Sequence, residues 1–276
     1  MRNLLVVEIY KLLKQSKTYY GLFAIFFIEL LVVLAAYYQG NDILDLLLSN
    51  LKDSFYFEGT LLNGNLIIYL LLNMLWFHLP LILMILVAGT LTTEYKDGTL
   101  QSVMLQPVRK WKFILSKYCV VILFTILTVV LTALTSFAIA YFIFGKGDLV
   151  VYLGSLNFIP SSIAQQKLIY AFVFGGISMV FFTVVSLTLA VILKEATKTW
   201  IVAALFLILN NVLMKFEVNN NFYNYWFFPK LNNSWQLFFY TDVPTGLIVH
   251  NGLVLVGYTV LFVCLGIWLF VKRDIG

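Results

Sequence analysis

Residues 92–117, TTEYKDGTLQSVMLQPVRKWKFILSK, form the longest charged interval on one side of what reads as a membrane bundle. The interval opens with Glu94, Lys96 and Asp97, turns at Gly98, continues as a short amphipathic segment and stops at Pro107. Four cations close it: Arg109, Lys110, Lys112 and Lys117. A long apolar run lies on each side. A charged hairpin held between two such runs is a place where a second protein can push or pull on a membrane part.

The flanking runs decide the fold class. Apolar residues make up 62% of the 276-residue chain and charged residues 11%, against roughly 45–50% and ~25% in soluble domains. So few charges could not cover the surface of a soluble domain of this length. Several runs reach the ~20 residues that a helix needs to cross a ~30 Å hydrocarbon core. The fold class is therefore an all-α polytopic membrane protein and a single transmembrane domain over 1–276. Six transmembrane helices are expected near 19–38, 66–91, 113–144, 168–193, 199–216 and 251–271.

Other segments read as follows. Residues 1–17 predict an amphipathic interfacial helix, with Leu5, Ile9, Leu12 and Leu13 on one face and Glu8, Lys11, Lys14 and Gln15 on the wet face; the bland alternative is a charged flank that orients the first span. No cleavable signal peptide is expected, because the first apolar run ends in AAYYQ, residues 35–39, with no small-residue cleavage box. Residues 43–57 read as weakly amphipathic and suited to the outer surface. The 113–144 run is long enough to project or tilt. Its Thr125, Thr128, Thr132, Thr135 and Ser136 put hydroxyls on one face, as helix–helix glue or as a polar lining. Residues 145–167 read as an outer loop. Gly175 and Gly176 read as sites of close helix approach. The aromatic interval 217–250 suits an interface, and 234–248 is apolar enough for an outer re-entrant segment before span six. Cys119 and Cys264 have neither a CxxC partner nor a neighbouring His and read as small buried hydrophobes.

Isolated polar residues inside spans are the candidates for a substrate path. Glu29 near the middle of span one costs about 2.5–3.5 kcal/mol on insertion scales and must face protein or water. A path role and a structural hydrogen bond to a neighbouring helix weigh equally. His78 lies beside Pro80, which frees a backbone acceptor and kinks the helix, so His78 either lines a path or serves the broken ladder. Asn210 and Asn211 in the short fifth span read as facing protein. No metal site is expected.

Charge orients the bundle. With six spans and the N-terminus inside, thirteen of the eighteen Lys and Arg residues fall on the inner side and five on the outer. This asymmetry follows the positive-inside rule and places residues 92–117 and both termini in the cytoplasm. The basic balance therefore reflects topology, with no nucleic acid implied. Catalysis lacks a site: there is no GxxxxGK[ST], no HExxH, no GxSxG and no paired intramembrane aspartates, so the chain is expected not to be an enzyme. A channel filter is absent too.

The charged hairpin carries a resemblance. Glu94, then Gly98, Thr99 and Leu100, then Leu105, Pro107 and Arg109, then Lys117 opening the next run, resemble the coupling segment of the permease subunits of type-2 ABC exporters. The ending Phe270, Lys272, Arg273, Asp274, Ile275 resembles their tail. The resemblance implies six spans, an elbow helix at the N-terminus and a coupling helix docked in a separate ABC-type ATP-binding subunit. Glu94, Lys96, Asp97, Gly98, Thr99, Leu100, Pro107 and Arg109 would form that interface, with no cofactor in this chain and ATP and Mg in the partner. Six helices are few for enclosing a path, so a second permease copy, identical or similar, is expected in the membrane lipid of a bacterial inner membrane. The expected function is ATP-driven export of a lipid-like or peptide substrate. The alternative is a membrane scaffold or mechanotransmitter that passes ATPase motion to an outer-surface protein partner, and the topogenic loop remains the bland reading of the hairpin.

Overall fold

The computed structural model describes residues 1–47, 61–153, 156–216 and 221–273, with the backbone alone at 41–47 and 221–222. The remainder of the 43–57 stretch, as well as Asp274 and Ile275 of the tail, lies outside the described residues. In chain order the elements are α1 (Arg2–Lys14), α2 (Ser16–Leu47), α3 (Gly64–Lys96), α4 (Thr99–Met104), α5 (Lys110–Phe144), β1 (Leu149–Tyr152), β2 (Leu156–Ile159), α6 (Ser161–Leu193), α7 (Ala196–Met214), α8 (Asn221–Trp226), α9 (Phe228–Asn232), a 3-10 helix (Asn233–Phe239) and α10 (Thr245–Lys272). Six of these helices (α2, α3, α5, α6, α7 and α10) are long and apolar enough to cross a membrane. The protein is an all-α polytopic membrane protein with one small β-hairpin.

Three of the six form the centre. The most apolar windows of α6, α3 and α5 are 67%, 50% and 39% buried, against 22% for each of α2, α7 and α10. The central three pack against one another as a triangle. One peripheral helix fills each groove: α2 between α3 and α5, α7 between α3 and α6, and α10 between α5 and α6. Both described chain ends lie at one end of the bundle. There the Lys110 ammonium donates to the Arg273 carbonyl at 2.8 Å, and Lys17 donates to the Thr93 hydroxyl at 2.9 Å.

Buried hydroxyls tie the triangle together, so the threonine row of α5 serves as glue where it meets α6. Thr125 donates toward Thr183 at 3.1 Å, Tyr118 and Thr188 share a hydrogen bond of 2.8 Å, and Ser186 donates to the Met84 carbonyl at 2.7 Å. The close approach expected at Gly175 and Gly176 falls elsewhere. A Cβ on either would meet its neighbour at 3.5 Å or more, an ordinary contact. At Gly266 of α10 a Cβ would lie 1.8 Å from the Tyr118 hydroxyl, so α10 seats against α5 only because that position has no side chain.

Helices outrun the apolar windows at nearly every boundary, because backbone hydrogen bonding continues past the point where hydropathy falls. Thus α3 begins at Gly64, α6 at Ser161 and α10 at Thr245. The last of these corrects the re-entrant expectation, since residues 245–248 are already the first turn of span six. It is the segment before them that enters the bundle. Phe228 stacks on Phe206 with ring centroids 5.6 Å apart, and Trp235 lies 5.1 Å from Trp76. With only 19 residues, α7 is shorter than α10 with 28, and α9 and the 3-10 helix pack into the space left above it. Cys119 and Cys264 are free and exposed on the outer faces of α5 and α10. Neither is a core residue, since the lipid-facing side of a membrane helix is as apolar as its core.

Exposed tyrosines give the bundle a membrane frame. Tyr19 and Tyr20 at one end of α2 and Tyr37 and Tyr38 at the other are all exposed. They stand about 27 Å apart at 1.5 Å per residue, which matches the ~30 Å hydrocarbon core with tyrosines at its two interfaces. The Tyr37 ring touches Phe144 at 6.4 Å, so α5 ends at one belt. At the other belt, Lys17 reaches Thr93.

The substitution Gly266→Ala should lower stability by about 1–3 kcal/mol, the usual cost of overpacking, whereas Gly175→Ala should be near neutral. Thermal unfolding of the two variants in detergent distinguishes them.

Candidate functional site

The site is assembled where α3 leaves the membrane frame. Gly98 adopts φ 67°, a left-handed turn that favours glycine, and α4 starts at the next residue. Leu100 is fully buried among Val87, Leu91, Phe113 and Ile114 and pins α4 to the bundle. The other side of the hairpin is open. Lys96, Asp97, Gly98, Thr99, Pro107 and Arg109 are exposed, and Leu105 is 88% exposed. Because α3 runs past Thr93 to Lys96 before the turn, α4 lies at the Tyr19–Tyr20 end of the bundle, with Leu105 uncovered there by any described residue.

Glu94 is placed differently. It is buried, and with Glu8, Lys11 and Lys117 it forms a four-charge cluster. Lys117 lies 2.6 Å from Glu8 and 3.0 Å from Glu94, and Lys11 lies 2.7 Å from Glu94 and 3.3 Å from Glu8. The Lys117 side chain is 1% exposed, and its ammonium also stands 5.0 Å over the Phe113 ring. Two carboxylates and two ammoniums balance, so the cluster carries no net charge. It joins α1, α3 and α5, and thus clamps α1 to both arms of the hairpin. Burial opposes the Lys11 charge, but the Glu94 and Glu8 carboxylates outweigh it and hold the Lys11 pKa above the ordinary lysine value. The stabilisation from Lys11 is therefore present throughout the neutral range and is lost only as pH rises through that raised pKa.

This cluster alters the expected faces of α1 at three positions, Glu8, Lys11 and Leu13, whereas Leu12 is buried, Leu5 and Ile9 are half-buried and Lys14 is exposed. Glu8 turns inward and Lys11 reaches in from a half-buried position, while Val6, Val7, Tyr10 and Leu13 are exposed. A hydrophobic-moment reading sends charge to water, but two opposite charges on other helices draw it in. The sequence signals were the Glu8–Lys11 pair at i, i+3 and a lone Lys117 set among apolar positions. The tail contributes to the same end: Phe270 stacks on Phe113 at 5.8 Å, and the Arg273 guanidinium donates to the carbonyls of Val191 and Ile192 that end α6.

The structure does not bring the four path candidates together. Glu29 is 1% exposed and accepts from Thr135 at 2.7 Å and from Ser136 at 3.0 Å, so its carboxylate clamps α2 to α5. The His78 ring bonds the Met74 carbonyl of its own helix at 2.8 Å. The acceptor freed by Pro80 belongs to Trp76, so His78 does not serve the broken ladder. Asn210 accepts from Asn232 at 3.3 Å and holds α9, while Asn211 donates to Leu207 at 2.9 Å within α7. Asn211 also lines a surface groove of about 330 Å³ with Phe77, Ile208, Val212, Lys215 and Phe216. Among the described residues no group of three His, Cys, Asp or Glu could hold a metal ion.

Sequence comparison adds a family. The family described as "Protein of unknown function (DUF2705)" matches residues 33–276. This chain belongs to it. No curated protein matches the sequence. The DUF2705 match takes in α4, Glu94 and Lys117 and leaves out α1, so the charge cluster joins a matched part of the chain to an unmatched one.

Replacing Lys117 with Met leaves two buried carboxylates short of cations and should cost about 3–5 kcal/mol, with faster tryptic cleavage at Lys14 as α1 detaches; Lys96→Met should change neither. Glu29→Gln keeps an acceptor for the α5 hydroxyls and should stay near wild type, whereas Glu29→Leu should lose about 1–2 kcal/mol, read from unfolding in detergent.

Proposed function

We propose that this chain is the membrane-spanning subunit of an ATP-driven exporter, with α4 as the coupling helix that docks in a separate ABC-type ATP-binding subunit. The observation that carries the reading is the division of labour in the hairpin. Leu100 anchors α4 inward while Leu105 stands almost fully exposed at the Tyr19–Tyr20 end of the bundle, beside Pro107 and Arg109. An apolar side chain on a short, rigidly based helix, rimmed by Lys96, Asp97 and Arg109, has the make-up of a hot spot with a charged rim. Glu94 acts in this reading as a positioning residue, holding α1 and α5 against the base of the hairpin and leaving contact with the partner to α4.

In this assignment both termini and α4 face the cytoplasm of a bacterial inner membrane, in keeping with thirteen of eighteen cations on that side. ATP and Mg belong to the partner subunit, and this chain transmits motion without catalysing hydrolysis. The four polar candidates Glu29, His78, Asn210 and Asn211 are engaged in hydrogen bonds and do not converge, so a path for a lipid-like or peptide substrate runs between this chain and a second permease copy. The surface groove beside Asn211 is one wall available for it.

Purification of tagged protein from native membranes, followed by mass spectrometry, tests the reading. A soluble P-loop protein should co-purify near stoichiometry. Leu105→Asp should weaken its binding about tenfold or more while insertion and thermal stability stay unchanged. Recovery of the chain without such a partner, or full binding by Leu105→Asp, overturns the coupling assignment.

A further inference from the structure

The β-hairpin between α5 and α6 has apolar residues on both faces. Its register pairs Leu149 with Ile159, Val150 with Phe158, Val151 with Asn157, and Tyr152 with Leu156. Side chains opposite one another share a face. The inward face therefore holds Leu149, Val151, Asn157 and Ile159, all buried. The outward face holds Val150, Tyr152, Leu156 and Phe158, with Tyr152 72% and Phe158 57% exposed. An antiparallel sheet with one face in water alternates apolar inside with polar outside. Among the described residues of the two strands, the Tyr152 hydroxyl is the one polar side-chain group on the outward face.

The hairpin is also held firmly. Asp148 accepts from the Ser161 backbone at 2.8 Å and so joins the start of the hairpin to the start of α6. Asn63 donates to the Asp148 carbonyl at 2.7 Å, and Thr241 donates to Asn157 at 2.6 Å. Its outward face is therefore a fixed surface. Its level is fixed as well. Phe144, five residues before β1, touches Tyr37 of the tyrosine belt, and Phe142 beside it is 91% exposed. The hairpin thus begins within five residues of that belt, where interfacial aromatics are expected. The exposed Lys146, next to Gly145 at the end of α5, supplies a cation at the same height.

We propose that the outward face of the hairpin is a membrane-surface contact: Tyr152 and Phe158 insert among the lipid headgroups and upper acyl chains, with Lys146 at the phosphates. Aromatic side chains with one polar end suit this zone. The contact braces the α5–α6 connection against the bilayer on the side opposite α4. It is independent of the coupling reading, since it concerns a different end of the bundle and holds whatever binds at α4.

The test uses nitroxide labels on the full chain in lipid nanodiscs, with Cys119 and Cys264 replaced by Ser. Labels at Phe158→Cys and, separately, Tyr152→Cys are compared with a label at the exposed Lys96→Cys. The expected result is strong relaxation by oxygen and a loss of collision with a water-soluble nickel chelate relative to Lys96→Cys. Phosphatidylglycerol bearing a headgroup relaxer should broaden both hairpin labels. Nickel accessibility equal to that at Lys96→Cys places the face in water and overturns the proposal. Labels shielded from both oxygen and nickel mean that protein covers the face, and overturn it as well. Two label sites guard against local disturbance by either substitution.

Discussion

Lipid tails are as apolar as leucine, so a membrane bundle gains little from burying one apolar helix face against another. What holds this bundle together is fit and a small set of buried polar contacts, and these concentrate on the α3–α5–α6 triangle. The Ser186–Met84, Thr125–Thr183 and Tyr118–Thr188 bonds lie on its three-way contact. Each peripheral helix is then fastened to the triangle by specific contacts, one of which stands out in each case. For α2 it is Glu29 between two hydroxyls, for α7 it is Asn210 through α9, and for α10 it is the absent side chain at Gly266.

The four-charge cluster is a different kind of device. Buried ion pairs contribute little net stability over a well-packed apolar alternative, and their better-attested use is to fix arrangement. Here the arrangement is that of α1 against the two arms of a charged hairpin. With Glu8 and Lys11 committed inward, α1 presents Val6, Tyr10 and Leu13 outward. The inward side of α1 thus combines Glu8 and Lys11 with the buried Leu12. A displacement of the hairpin base would carry α1 with it, because Lys117 and Glu94 are common to both.

The two ends of the bundle are built from different materials. The end with the termini relies on charge: the cluster, Lys110 on the Arg273 carbonyl, and Arg273 on the last carbonyls of α6. The opposite end has single charged contacts, such as Asp148 with the Ser161 N–H, among neutral amides and aromatic rings. Asn65 donates to the Gly147 carbonyl at 2.6 Å and accepts from Tyr141 at 2.7 Å, while Trp235, Trp76 and Tyr69 pack together. This asymmetry parallels the cation count.

Much of this could be read from residues alone. The six spans, their order and the break at Gly98 follow from hydropathy, from the ~20-residue requirement and from glycine's tolerance of positive φ, all properties of local sequence. The hairpin at 92–117 was equally legible, because charge cannot remain inside a hydrocarbon layer unpaired. Tertiary structure decided which way single side chains turn. Glu94 and Glu8 look like surface residues until Lys117 and Lys11 are brought to them from other helices. Glu29 and His78 look alike as polar intrusions, yet one bridges helices and the other bonds its own backbone. Gly175 and Gly266 differ only in what stands opposite. In a membrane both faces of a helix are apolar, so sequence period loses its power to tell inside from outside, and only the packing partner restores it.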